Sequence, residues 1–317
     1  MSARRLNVLS CELDESLDRA GFRHTGATIG PQIGAERIGA SVYEAEAGHA
    51  IWPYHYHYAA EEWLYVVTGA PILRDPGGER ALRSGDLLCF PAGPLGAHAV
   101  GGPGRFIVFS ADAPGPYVAV FPDSDKIAVW TGVPDLDALI LPRAAAVDYW
   151  HGEGTEAASQ PVEVVREGEA PSRPVVNTLE MGVTPSSDTP AAFGSRVATL
   201  TIELGAERLA ATVLELDPGE GSAEYRYEYG RENWMLVLAG TPTLRDPDGE
   251  DALATGDVVC FPEGPAGAQG LINRRDEVAR VLFISTAGLP ANLCYPDSGR
   301  WLMRNGRDSE DRVLREL

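Results

Sequence analysis

The chain has 317 residues, of which 44% are hydrophobic, so it is long enough to bury the cores of two ordinary domains. Its formal net charge of -20 argues against nucleic acid and anionic membrane surfaces as partners, because both require a basic protein face. The four cysteines, Cys11, Cys89, Cys260 and Cys294, have no CxxC spacing, which argues against a disulfide framework and a cysteine zinc site.

The N-terminus, MSARRLNVLSCELDESLDRA, has no apolar stretch of signal-peptide length, because Cys11 and the acidic residues after it interrupt the pattern. No apolar run elsewhere reaches the length of a membrane-spanning helix. We therefore expect a soluble, cytoplasmic protein whose partner is a small-molecule substrate. The sequence is compatible with a homodimer and does not define the oligomeric state.

The first part of the chain predicts short β-strands. Apolar alternation occurs at 40–44, 63–67, 87–90 and 106–109, and clusters of glycine, proline and aspartate lie between these runs. Short strands at regular spacing, bounded by turn residues, are typical of a sandwich or a barrel and not of a parallel α/β sheet. The predicted fold class is therefore all-β.

The stretch HYHYAAEEW, residues 55–63, contains two histidines two residues apart, followed by a carboxylate. Side chains at i and i+2 of a strand point to the same face, so His55 and His57 can converge on one ion. Glu62 follows after a predicted turn, and His98 comes later in the chain after a turn-rich segment. Three imidazoles and one carboxylate make a suitable ligand set for a divalent transition metal and leave positions open for other ligands.

Residues 128–175 separate the predicted barrel from the rest of the chain. They begin with a possible short helix near Asp135 to Asp148 and continue into a stretch rich in glutamate and proline, typical of an exposed linker. The predicted division is an N-terminal domain at 1–127, a linker at 128–175 and a C-terminal domain at 176–317.

The C-terminal domain is a second copy of the first. With a shift of 171 residues, the segment from Gly34 to His98 aligns without a gap on the segment from Gly205 to Gln269, and about half of the positions are identical. After short insertions and deletions, FPDSDK at 121–126 aligns with YPDSGR at 295–300. Self-similarity of this length indicates an internal duplication and two modules of the same architecture.

The second copy lacks the four candidate metal ligands. Arg226 replaces His55, Glu228 replaces His57, Asn233 replaces Glu62 and Gln269 replaces His98. Two interpretations of this group are open. Arg226 and Glu228 pair and fill the barrel, or Arg226, Asn233 and Gln269 hold an anionic or polar ligand. The alternating tyrosines recur in RYEYGRENW, and so do Glu61 and Trp63, as Glu232 and Trp234, which indicates structural roles for all of them.

The glycines and ligands together resemble the cupin superfamily. Gly48, His55, His57, Glu62 and Gly69 match its first motif, and Gly85, Pro91, Gly93 and His98 match its second, with a longer spacing than usual before His98. The resemblance covers both copies, so it implies a bicupin: two tandem double-stranded β-helix, jelly-roll-like barrels. It also implies that His55, His57, Glu62 and His98 bind one metal ion in the N-terminal barrel.

The resemblance implies a metal-dependent protein, with iron preferred over manganese, nickel and zinc. An oxygenase-type enzyme acting on a small organic molecule is the first hypothesis. A non-redox isomerase, lyase or hydrolase is the second, and a non-catalytic ligand-binding module is the third. The sequence identifies no catalytic side chain beyond the ligands, and it has no glycine-rich phosphate loop and no nucleophile elbow.

Overall fold

The computed structural model describes residues 5–112, 117–130, 138–147, 170–186, 193–287, 291–304 and 312–315. These residues form β-strands and short 3-10 turns, as expected from the apolar alternation and the frequent turn residues. The strands up to the linker are β1 (Arg5–Asn7), β2 (Glu15–Arg19), β3 (Phe22–Thr28), β4 (Gly39–Ala45), β5 (Tyr56–His57), β6 (Ala60–Gly69), β7 (Ile72–Asp75), β8 (Gly78–Ala81), β9 (Asp86–Phe90), β10 (Ala99–Gly101), β11 (Gly104–Asp112), β12 (Tyr117–Phe121), β13 (Lys126–Trp130) and β14 (Leu139–Pro142).

The later strands repeat this order. They are β15 (Val176–Asn177), β16 (Thr184–Pro185), β17 (Arg196–Thr199), β18 (Leu209–Leu216), β19 (Tyr227–Tyr229), β20 (Asn233–Ala239), β21 (Thr243–Asp246), β22 (Gly249–Ala252), β23 (Asp257–Phe261), β24 (Gly270–Ile272), β25 (Ala279–Thr286), β26 (Ala291–Tyr295), β27 (Arg300–Arg304) and β28 (Arg312–Arg315). The 3-10 turns are Pro31–Ile33, Pro94–Gly96, Pro122–Ser124, Arg143–Ala145 and Pro265–Gly267.

Each copy folds into an antiparallel barrel built from three sheets. In the first barrel, a seven-stranded sheet (β15-β9-β6-β11-β4-β3-β2) is accompanied by a four-stranded sheet (β14-β13-β12-β5) and a three-stranded sheet (β10-β7-β8). The second barrel repeats the arrangement with β1-β23-β20-β25-β18-β17-β16, β19-β26-β27-β28 and β22-β21-β24. The predicted all-β, two-barrel fold is confirmed.

The two barrels exchange strands. β1 pairs with β23 of the second barrel, and β15, the equivalent strand of the second copy, pairs with β9 of the first. An asparagine at the corresponding place in each copy stabilises each pairing. Asn7 donates from Nδ2 to Asp257 at 2.9 Å, and Asn177 donates to Asp86 at 2.9 Å. Each large sheet therefore includes a strand from the other copy.

The largest apolar core lies between the two large sheets and draws residues from both copies. Phe109 of the first packs edge-on against Trp234 of the second, with ring centroids 5.8 Å apart. Separate clusters fill the barrels, around Phe106 in the first and around Phe261 in the second. Because successive strand residues face opposite sides, one side of β6 points to the shared core and the other into the first barrel.

Two buried carboxylates join the barrels. Glu61 accepts hydrogen bonds from the backbone N–H groups of Glu207, Arg208 and Leu209 of the second copy, at 2.6 to 3.0 Å. Glu232 makes the reciprocal set with the backbone of residues 36, 37 and 38, at 2.7 to 3.1 Å. The indole N–H of the tryptophan two residues on donates to each carboxylate. These contacts explain why Glu61 recurs in a copy that has no metal ligands.

The prediction of a short helix near Asp135 to Asp148 is wrong for the part that the structure describes. Residues 139–142 form β14, which pairs with β13, and a 3-10 turn follows at Arg143–Ala145. The run Leu139-Ile140-Leu141 meets an available sheet edge, and Pro142 cannot continue a helix. The remainder of the expected helix lies outside the described residues. No helix in the described ranges is long and apolar enough to cross a membrane.

Candidate metal centre

Three structural elements bring the four predicted residues together. His57 ends β5, and Glu62 lies near the start of β6, after a tight turn. His55 and His98 face each other across an isolated antiparallel bridge, with N–H to O distances of 3.0 and 2.8 Å. Histidines far apart in the chain are therefore held at a fixed separation by their own backbone.

The imidazoles converge on one oxygen. Glu62 Oε2 lies 3.0 Å from His57 Nε2, 3.5 Å from His98 Nε2 and 4.0 Å from His55 Nε2. The donor atoms of His55, Glu62 and His98 lie within 4.8 Å of one another. Within the described residues, this is the one group of three or more His, Cys, Asp or Glu donors close enough to share an ion.

Backbone carbonyls orient two of the rings. His55 donates from Nδ1 to the Pro53 carbonyl at 2.8 Å, and His98 donates from Nδ1 to the Gly96 carbonyl at 2.9 Å. With the proton on Nδ1, the Nε2 lone pair of each ring faces the centre, as a metal ligand requires. Gly96 belongs to the extra residues before His98, so the long spacing supplies a carbonyl that orients the ring.

The centre is buried, with exposed fractions of 6 to 9% for its four residues. Burial, followed by repulsion from His98, lowers the pKa of His55 to about 3, and burial also lowers the pKa of His98. Burial disfavours the charged form of Glu62, but its interaction with His57, then with His98 and His55, outweighs burial and lowers its pKa. Neutral His55 and His98 beside an ionised Glu62 are in the protonation state that binds a metal cation.

Tyr117 was not identified from the sequence. Its hydroxyl lies 3.1 Å from His57 Nε2 and 3.5 Å from Glu62 Oε1. The pairing of β12 with β5 and of β26 with β19 places Ala291 at the equivalent position of the second barrel. A signal was therefore present: the tyrosine occurs only in the copy that has the ligands, and extending the alignment upstream from FPDSDK would have revealed it.

Aromatic rings surround the imidazoles. Phe90 stacks on His98 with ring centroids 3.8 Å apart, and Phe121 stacks on His55 at 5.9 Å. These rings limit the ways in which the imidazoles can turn and keep water from one side of each. The side chains therefore form a preorganised set of three nitrogen donors and one carboxylate, which fits a divalent transition metal.

The second barrel has no such donor set among its described residues. Arg226 and Gln269 form the same isolated bridge as His55 and His98, and Arg226 Nε lies 3.7 Å from Glu228 Oε1. The two charges do face each other, as one interpretation of the sequence expected. They do not fill the barrel, which encloses a cavity of about 520 Å³.

Comparisons with known proteins give likeness in structure alone. No protein-family model and no curated protein matches the chain. A structure of oxalate decarboxylase matches with a TM-score of 0.51 and 16% identity over 90% of this chain and 78% of that one. A tryptophan-to-phenylalanine variant of the Bacillus subtilis oxalate decarboxylase matches with a TM-score of 0.50 and 16% identity, over 90% and 77%.

A cupin-superfamily sugar phosphate isomerase from Silicibacter pomeroyi also matches, with a TM-score of 0.40 and 23% identity over 43% of this chain and 89% of that one. Identities this low establish the fold and no activity. The duplication and the two barrels agree with the structural match over 90% of the chain. The chain therefore has a fold of two tandem β-barrels, and the His/Glu donor cluster found among the described residues lies in its N-terminal barrel.

Proposed function

We propose that the N-terminal barrel binds one divalent transition metal through His55, His57, Glu62 and His98, and that the protein is a metal-dependent enzyme acting on a small organic molecule. The observation that carries this proposal is the convergence of three Nε2 atoms on one Glu62 oxygen at 3.0 to 4.0 Å. The carbonyl bonds to two of the rings support it, because they orient Nε2 lone pairs and not N–H groups toward the centre.

The first form of the proposal is an oxygenase. A bound metal would act as a Lewis acid and leave coordination positions open for an oxygen-donor substrate and dioxygen, and iron(II) suits mixed imidazole and carboxylate ligands. The protein's own contribution is to orient the ligands and to exclude water with Phe90 and Phe121. Iron is the metal that we propose, ahead of manganese, nickel and zinc.

The second form is a non-redox isomerase, lyase or hydrolase, and Tyr117 favours it. The Tyr117 hydroxyl lies 3.5 Å from Glu62 Oε1 and next to the ligand nitrogen of His57. A phenol in this place can hold or move a proton at its own oxygen beside a polarised substrate. General acid–base catalysis of this kind needs neither dioxygen nor a change in the metal's oxidation state.

Elemental analysis of the purified native protein beside His57→Ala tests the metal site. We expect about one transition-metal ion per chain in the native protein and none in the variant. A variant with full occupancy would show that the ion is bound elsewhere. Circular dichroism of both proteins verifies that the variant keeps the native fold.

The reaction class is tested on protein reconstituted anaerobically with iron(II), manganese(II), nickel(II) or zinc(II). Oxygen uptake with small phenols, enols or thiols supports the oxygenase form. Turnover without oxygen, with zinc as active as iron, supports the non-redox form. Binding without turnover under all these conditions would leave the protein a ligand-binding module and contradict the enzyme proposal.

A further inference from the structure

The interior of the second barrel holds a cavity of about 520 Å³ at the place where the first barrel has its ligand cluster. All four residues that replace the ligands line it: Arg226, Glu228, Asn233 and Gln269. A volume of this size is within the range of cavities that hold small organic molecules. The cavity therefore has the location and the size of a binding site, although it lacks the donors for a metal.

Three polar atoms of these lining residues have no hydrogen-bond partner among the residues that the structure describes. They are Arg226 Nε, Glu228 Oε2 and Gln269 Oε1, and all three are buried. Only 9% of Gln269 is exposed, and the bridge between Arg226 and Gln269 holds both residues in place, with N–H to O distances of 3.0 and 2.7 Å. Buried polar atoms without partners cost free energy, so a polar ligand toward which these side chains turn lowers that cost.

Substitutions between the two copies reshape this space, and although Phe283 replaces Val108 and Leu293 replaces Ala119, two bulky side chains are lost. Strand pairing places Leu214 where the first barrel has Tyr43, and Ala291 where it has Tyr117. A barrel that had only lost its metal would be stabilised by apolar side chains in place of the ligands. The second barrel instead keeps polar side chains and an open interior. This combination is expected of a cavity that accommodates a polar molecule.

The polar groups define the chemistry of the ligand. One unpartnered atom is a donor and two are acceptors, so a ligand that pairs all three accepts a hydrogen bond from Arg226 and donates to Glu228 and Gln269. Two of the three arginines that line the cavity face carboxylates: Arg226 faces Glu228, and Arg300 Nη2 lies 3.0 Å from Glu224 Oε2. Two ion pairs on the wall reduce the need for a charged ligand. Hydroxyl groups both donate and accept, so several of them on one molecule meet these requirements.

Further wall residues suit the same class of molecule. The hydroxyl side chains of Thr199, Thr212 and Ser285 line the cavity, together with the apolar Phe283 and Leu293. Alternating hydroxyl and apolar surface matches a molecule with hydroxyl groups on a carbon skeleton. We propose that the second barrel binds a neutral, polyhydroxylated small molecule, independently of the metal site in the first barrel.

Isothermal titration calorimetry on the full chain tests this proposal. The probes are glucose, maltose and myo-inositol at millimolar concentration, with glycine, succinate and inorganic phosphate as charged comparisons. We expect heat of binding with at least one hydroxylated probe and none with the charged ones. Chelator-treated protein should bind the same probe with unchanged affinity, since the site needs no metal.

Two variants locate the binding. Gln269→Leu removes an unpartnered acceptor at nearly constant volume, and we expect it to weaken binding about tenfold while the melting temperature stays the same or rises. Ala223→Trp introduces at the cavity wall the side chain that the first copy has at the equivalent position, Trp52, and by narrowing the cavity it should weaken binding at least tenfold. The proposal is overturned if no hydroxylated probe binds, if only charged probes bind, or if both variants bind as the native protein does.

Discussion

The two barrels have the same strand arrangement and the same residues facing the shared core, and they differ in their interiors. Toward the common core, Glu61 and Glu232 make the same hydrogen bonds and Trp63 and Trp234 take the same positions. Inside the barrels, one copy gathers imidazoles around Glu62, while the other surrounds a cavity with polar residues. Because strand residues alternate in direction, packing between the barrels constrains one set of side chains and leaves the other free to change. The difference between the copies therefore separates residues that fold the protein from residues that bind.

Truncating the equivalent residue in each barrel gives the largest contrast in metal content. His57→Ala should lose the metal, because three donors remain around an opened site, whereas Glu228→Ala, the same position in the second barrel, should retain about one ion per chain. Equilibrium dialysis against zinc or manganese followed by elemental analysis measures both. Equal occupancy in the two variants would contradict the assignment of metal binding to one barrel.

The reverse experiment transfers the ligands to the second barrel. The chain with Arg226→His, Glu228→His, Asn233→Glu and Gln269→His should bind about two ions, because the backbone bridge between Arg226 and Gln269 already repeats that of His55 and His98. The carbonyl of Gly267 then lies where Gly96 orients His98. Occupancy is measured with His57→Ala in the same chain, where a single ion is expected. No binding at all there would mean that the frames of the two barrels are not equivalent.

Loss of a carboxylate between the barrels should cause the largest decrease in the free energy of unfolding. Glu61→Ala leaves three backbone N–H groups and an indole N–H without their acceptor, and we expect a loss of about 3 to 5 kcal/mol in the free energy of unfolding. Glu232→Ala should cost a similar amount. Denaturant unfolding measures both, with the exposed Glu46→Ala as the control within about 0.5 kcal/mol of the native protein. A clear difference in the free energy of unfolding between Glu61→Ala and Glu232→Ala would show that the two carboxylates do not play equivalent structural roles.

Much of this arrangement could be predicted from the sequence. The repeat and the strand alternation define the barrels, and the absence of histidines from the second copy isolates His55, His57 and Glu62. Glu61 could be identified as structural, but its partners could not, because they are backbone groups far away in the chain. The exchange of β1 and β15 was not predictable, since strands of two or three residues have no periodicity and their partners depend on how the barrels pack.

Tyr117 is a further difference between the barrel interiors, because its equivalent in the second barrel is Ala291. Tyr117→Phe should leave metal occupancy unchanged, because its oxygen is not a proposed ligand. If the hydroxyl moves a proton, kcat should fall about 10- to 100-fold, or about 1.4 to 2.7 kcal/mol in activation free energy. The test substrate is any compound turned over by the reconstituted enzyme. A pH profile of kcat unchanged from that of the native enzyme, with only KM raised, would assign Tyr117 to substrate binding.

The smallest effects should come from the asparagines that fix the exchanged strands. Asn7→Ala and Asn177→Ala each remove a hydrogen bond to the aspartate of a neighbouring strand, and each should lower the free energy of unfolding by about 1 to 2 kcal/mol. Each exchanged strand is part of one copy by sequence and pairs with a sheet of the other copy. A substitution that weakens this pairing should therefore destabilise both barrels. Unfolding followed by tryptophan fluorescence and by far-ultraviolet circular dichroism should therefore remain one coincident transition in both variants. Two separate transitions would show that each barrel unfolds independently and that the exchanged strands do not couple the two barrels.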